Sequence, residues 1–169
     1  MNLFVLDADP RRAAESQCDK HICKMSIEYA QLLSAAHHTC NSRHQDSVYK
    51  LTHKNHPATK WVAAHPEHYS WTYALACATW DEYTYRYGKT HGSSRLRDLL
   101  ADGPSIVGGG HATPPPQCMP DDYRVRTGGW DATVDAYRQY YRGEKASFAT
   151  WKLRDVPAWF LTPDPRLVA

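Results

Sequence analysis

The sequence predicts a mainly α-helical single-domain bundle, with a small β-strand pair at the N-terminus. Three observations carry this. Apolar residues recur at helical spacing through Gln17–His38, the whole of Pro66–Tyr87 sits between a proline start and a glycine stop, and a third helical run follows Asp131. In the first run Ile22, Met25, Tyr29, Leu32, Leu33 and Ala36 fall on one face. Beside them runs a polar lane, Gln17, His21, Lys24, Glu28 and Gln31, whose steps of three and four stack it next to the core.

The elements follow in order. Asn2–Asp7 is short and apolar and reads as a strand. Asp7 or Asp9 caps a helix that opens on Pro10 and leads into the long helix, which ends at Cys40-Asn41-Ser42. Residues 41–52 are a polar loop and His53–Pro57 a turn, with Pro57 opening a short helix through Val62. The next helix runs from Pro66 to Tyr87, with Trp71, Ala74, Leu75, Ala78 and Glu82 on one face and Gly88 as its stop. Ser93 or Ser94 caps a helix over Arg95–Ala101. Residues 103–129 hold six glycines and five prolines, a long irregular loop within which Asp122–Arg126 is the candidate partner of the first strand. Asp131 caps a helix over Ala132–Tyr141, a further helical turn or two covers 144–152, and the tail packs Trp159 and Phe160 on the body.

Composition narrows the function classes. The chain has 169 residues, long enough to bury a core in one domain spanning 1–169. Twenty Lys and Arg against 18 Asp and Glu give a net charge of only +2, so bulk charge does not argue for a polyanion partner. The five cysteines lack the tight spacing of a disulfide scaffold, which fits a reducing compartment. No apolar run approaches membrane-spanning length, and no signal peptide is evident; the expectation is a soluble cytoplasmic protein with no membrane partner. Eleven tyrosines and six tryptophans outweigh three phenylalanines, a balance suited to stacking on bases as well as to a core and its rim.

The polar lane is the first candidate site. Glu28, Lys24, His21 and nearby Asp19 combine an acid, a base and an amine able to form a Schiff base. The competing structural reading is a Lys24–Glu28 helical ion pair beside a hydrogen-bonded core histidine. Eight of the ten histidines lie between His21 and His68, and Cys18, His21, His53 and His56 could make a tetrahedral set for a divalent metal ion. No C-x-x-C pair supports that alternative, and the primary expectation carries no cofactor. A third group interleaves tyrosine with cations. Tyr85, Arg86, Tyr87 and Lys89 form one such run and Tyr137-Arg138 with Tyr140-Tyr141 another, where rings can stack on bases and cations can bind phosphate. His53, Lys54, His56 and Lys60 make a local basic turn. No phosphate-loop, dinucleotide or serine-hydrolase motif is present.

Several motifs together resemble a known family. C-D-K-H at 18–21 with Lys24-Met25, Glu28 and A-Q-L-L-S at 30–34 is followed by T-H-K-N-H-P at 52–57 and Trp61-Val62. Then come E-Y-T-Y-R-Y-G-K at 82–89, Met119-Pro120, Tyr137-Arg138, Tyr140-Tyr141, G-E-K at 143–145 and Pro157-x-Trp159-Phe160. This set, spread over nearly the whole chain, is similar to small phage and bacterial proteins labelled pyrimidine-dimer DNA glycosylase or endonuclease V-like. The resemblance implies a helical fold and a role on DNA or nucleotides. The phage pyrimidine-dimer enzyme attacks with the amine of an N-terminal threonine, whereas this chain begins Met1-Asn2, so no catalytic amine is carried over.

The resulting expectation is a DNA-repair hydrolase, an N-glycosylase on a damaged or modified pyrimidine, with a lyase step through Lys24. Glu28 or Asp19 would activate water. His21, His53 and His56 would hold phosphate or polarise the base, and Trp61, Trp71, Tyr85 and Tyr87 would wall an extruded base. Two alternatives stand beside it: a metal-dependent enzyme modifying a nucleotide or other small molecule through the histidine cluster, and a non-enzymatic DNA- or protein-binding module.

Overall fold

The structure is a computed structural model and is described for residues 1–162. It is a bundle of helices. Among the described residues there are seven α-helices: α1 Pro10–Glu15, α2 Asp19–Thr39, α3 Pro57–Val62, α4 Pro66–Tyr87, α5 Arg97–Ala101, α6 Gly129–Lys145 and α7 Ala158–Leu161. Two 3-10 turns, Gly92–Leu96 and Asp121–Tyr123, complete the regular structure.

Helix starts follow local chemistry. Asp9 caps α1 by accepting from the Arg12 N–H, with Pro10 in the first turn. His56 and His65 cap α3 and α4 through Nδ1, each ahead of a proline, and His91 caps the Gly92–Leu96 turn in the same way. Gly88 ends α4 at φ 63°, a left-handed position that costs a glycine little. The cap of α6 is Gly128 rather than the expected Asp131, and α6 runs on to Lys145.

Helix α2 is the centre of the bundle. The expected face of Ile22, Met25, Tyr29, Leu32, Leu33 and Ala36 is entirely buried. It packs on α4 and α3, while α1 packs on α4. The buried stripe of α4 differs from the expected one. It contains Thr72, Leu75, Ala76, Thr79 and Trp80, while Ala74 is exposed. The threonines are tolerated there because Thr72 and Thr79 donate their hydroxyls to the carbonyls one turn back, at 2.8 and 2.7 Å.

The expected strand pair does not form; no strand is present among the described residues. Leu3–Leu6 is instead a buried segment without regular secondary structure, packed against helices. Phe4 stacks on His21 of α2 and meets Tyr137, Tyr140 and Tyr141 of α6. Its apolar run thus serves the core through side chains rather than through a ladder. The candidate partner, 122–126, is occupied elsewhere: the Gln117 side chain both accepts from the Val125 N–H and donates to the Val125 carbonyl. No described helix is long and apolar enough to cross a membrane.

Candidate functional site

The two candidate carboxylates of α2, Asp19 and Glu28, sit in opposite surroundings. Asp19 accepts from Arg86 Nη1 at 3.0 Å, Thr150 Oγ1 at 2.8 Å and the Lys152 N–H at 3.0 Å. Arg86 is 1% exposed and also donates to Glu82 at 2.6 Å and to the carbonyls of Gln17 and Glu15. Burial pushes the Glu82 carboxyl up, but the bonds from Arg154 and Arg86 outweigh it and hold it below its usual value. This network spends its charges on joining α1, α2, α4 and the 150–154 segment. Asp19, expected as a catalytic acid, and Arg86, expected as a phosphate ligand, are structural here.

Glu28 is different. It is buried but reaches the surface, and it accepts one short hydrogen bond, from the Asn2 N–H at 2.9 Å. Two amines flank it, the Met1 amine at 3.8 Å and Lys24 Nζ at 3.5 Å. Lys24 is 67% exposed, so its amine is open to an incoming molecule. Asn2 is fixed in turn: its side chain donates to the Cys118 carbonyl at 3.0 Å and accepts from the Tyr137 hydroxyl at 3.1 Å. His56 lies within the field of this cluster. Burial lowers its pKa, the Met1 amine and His53 lower it further, and Glu28 opposes them. Its Nδ1 is taken by the α3 cap, which leaves Nε2 for a ligand.

His56 also lines a groove of about 850 Å³ with Cys118, Met119, Arg124, Arg126, Gly128 and Tyr140. That volume suits a nucleotide-sized ligand. The groove wall is the proline-rich part of the 103–129 loop, held by the Gln117–Val125 clasp and by Arg124 Nε on the Met119 carbonyl at 2.9 Å. The arrangement offers a carboxylate between amines, with an imidazole nearby and cations along the adjoining groove.

The other expected residues are dispersed. His21 is a core histidine, 2.6 Å from the Tyr141 hydroxyl and stacked on Phe4. Burial, with help from Lys145 and Lys24, lowers its pKa to about 4, so it is neutral. His53 and Lys54 are exposed on the turn before α3, His53 at φ 49°. Trp61 stacks on His68 and gives its N–H to the Thr113 carbonyl, and Trp71 gives its own to Ala8. Trp71 lines a separate cleft of about 410 Å³ with Trp130, apart from the His56 groove. Tyr85 and Tyr87 bond the carbonyls of Leu153 and Asp19, under the cations of Arg154 and Lys152. Arg138 is bound to the Leu6 carbonyl and Asp7. Lys89 stands exposed just past the end of α4.

The alternative metal set of Cys18, His21, His53 and His56 does not assemble. Among the described residues no three His, Cys, Asp or Glu side chains come together to hold an ion. Cys18 is buried, with its Sγ on the Tyr141 hydroxyl. The histidine cluster has a structural explanation. His56 and His65 are caps, His37 bridges Ser42 and Tyr69, and His68 links Trp61 to Thr113.

Asn2, Cys118 and Arg124 received no site role from the sequence, and Tyr140 received one only within the interleaved tyrosine and cation run. Met119-Pro120 and Tyr140 did belong to the motif set above, and that was the available signal. Comparison with known proteins finds no matching family model, no matching curated protein and no matching solved structure.

Proposed function

We propose that the chain is a DNA- or nucleotide-acting enzyme, an N-glycosylase-type hydrolase for a damaged or modified pyrimidine, working at Glu28. The observation that supports this reading most is the Glu28 carboxylate set between the Lys24 and Met1 amines and close enough to act on His56, which lines a nucleotide-sized groove. Glu28 takes a proton from water as the water oxygen bonds to the sugar carbon and the base leaves with the bonding electron pair. In a lyase version an amine attacks instead. It displaces the base, forms an imine with the opened sugar, and allows elimination of the 3′ phosphate. Lys24 is the amine chosen here because it is exposed and within 3.5 Å of Glu28. His56 and Tyr140 provide polar and aromatic contacts for the extruded base.

The test is nicking of ultraviolet-irradiated against untreated supercoiled plasmid, with borohydride in parallel and peptide mapping of any adduct. Nicking confined to irradiated DNA, lost in Glu28→Gln, supports the reading. An adduct mapped to Lys24 or to the Met1 amine supports the lyase version and identifies its nucleophile. Neither nicking nor base release overturns the proposal and leaves a binding module.

A further inference from the structure

Lysines and rings gather on the side of the bundle where α2 meets α6. Lys20 Nζ lies 4.7 Å above the Phe148 ring and Lys145 Nζ 4.5 Å above Tyr140. The rings beneath form a continuous series. Phe148 meets His21 at 5.9 Å, His21 stacks on Phe4 at 4.3 Å, Phe4 faces Tyr140 at 6.3 Å, and Tyr140 meets Tyr123 at 5.4 Å. Phe4 and His21 are buried, while Phe148 and Tyr140, farther out in the series, are half-buried. Tyr140 is also part of the His56 groove wall, so the series leads into it.

The cations have little to offset them. Lys20 and Lys24 are one turn apart on α2, a like-charge spacing that costs a few tenths of a kcal/mol, about 0.2–0.5. Lys24 and Lys145 are both close enough to His21 to lower its pKa. Neither Lys20 nor Lys145 has an ion-pair partner among the described residues. Two ammonium groups without an acid partner, Lys20 and Lys145, and a third, Lys24, paired only with Glu28, stand over or beside stacking rings and match a chain of phosphates with exposed bases. A duplex hides its base faces; a single strand presents them.

We propose that this lysine–aromatic ridge, Lys20 and Lys145 over Phe148 and Tyr140 with Lys24 beside them, is a binding path for single-stranded DNA that feeds the His56 groove. The choice of DNA and of the groove as destination rests on the proposed activity; strand binding itself does not. Backbone phosphates pair with the lysines and draw them off the rings, and bases stack in their place.

The experiment is fluorescence anisotropy of a labelled oligo(dT) single strand, and of the same strand in duplex with oligo(dA), between 50 and 200 mM salt. Single-strand affinity is expected to exceed duplex affinity at least tenfold. A Lys20→Ala/Lys145→Ala double variant is expected to lose at least tenfold in affinity. Its log–log salt slope should fall by about 1.4, from about 0.7 per phosphate contact. Phe148→Leu, which keeps apolar volume, is expected to lose several-fold with the slope unchanged. A Lys50→Ala/Lys89→Ala control should behave as the parent chain. Equal or tighter duplex binding, or a Lys20/Lys145 variant that binds like the control, overturns the inference. Ridge-dependent strand binding with no nicking of irradiated plasmid would leave the path standing and sink the glycosylase. Nicking indifferent to Lys20 and Lys145 would do the reverse.

Discussion

Asp19 and Glu28 lie on the same helix and are both carboxylates beside basic groups, yet the structure uses them in opposite ways. Around Asp19 donors are in excess: Arg86, Thr150 and the Lys152 N–H all reach it at 2.8–3.0 Å. Around Glu28 one backbone N–H is at hydrogen-bond distance, and the two amines stand off at 3.5 and 3.8 Å. A saturated charge has no capacity left for a substrate, whereas an unsaturated one can exchange partners. The number of ionisable groups is therefore a poor guide to a site; what remains unbonded after folding is a better one.

Four substitutions or titrations sharpen this contrast, starting with the largest effect. Arg86→Ala removes the buried cation of the network and leaves Glu82 to Arg154 alone and Asp19 with only its Thr150 and Lys152 N–H donors. The expected loss is about 3–5 kcal/mol, read from denaturant unfolding. Glu28→Gln is expected to reduce any base release by about 10²–10⁴-fold while moving the unfolding midpoint little, because its single N–H bond survives with an amide oxygen. A large stability loss with unchanged activity would reverse the assignment of the two carboxylates.

Acidification comes next. His21 and His37 each have a pKa lowered to about 4, chiefly by burial, with Lys145 and Lys24 adding at His21 and His44 at His37. In the unfolded chain they return towards 6.5. The unfolded state therefore takes up protons first. Their contribution to stability is complete above about pH 6.5, declines as pH falls towards about 4, and changes no further below that. Thermal unfolding across that window should show the decline, and His21→Gln should make it shallower. The smallest effect is at Lys89→Ala, expected to change stability by less than about 0.5 kcal/mol and to leave activity unchanged, since the side chain is exposed and has no partner among the described residues.

Much of the fold was legible beforehand. The core face of α2 followed from spacing alone, and the starts of α1, α3 and α4 from their prolines. The N-terminal segment misled because an apolar run of β propensity says only that side chains will be buried; Phe4 meets helices instead of a partner strand. The buried face of α4 was misjudged because threonine counts as polar until its hydroxyl is given to the preceding turn. The histidines suggested a metal because sequence proximity was read as spatial convergence. Folding sends them to caps, bridges and the core.

By itself, then, the sequence determined where α1, α3 and α4 begin, where α4 ends, and which face of α2 is apolar. Those features depend on residues within a turn or two of one another: caps on the next N–H groups, Gly88 at a left-handed stop, apolar groups every three or four positions. Tertiary structure alone decided which charges are consumed. Arg86 reaches Asp19 across 67 residues, Thr150 reaches it across 131, and Asn2 meets Cys118 across 116. Each of those meetings depends on how helices pack, and burial makes pairing compulsory for whatever charge arrives there. Glu28 remains the open one because the middle of α2 is met there by the Asn2 backbone N–H and two amines, without an arginine to close the site.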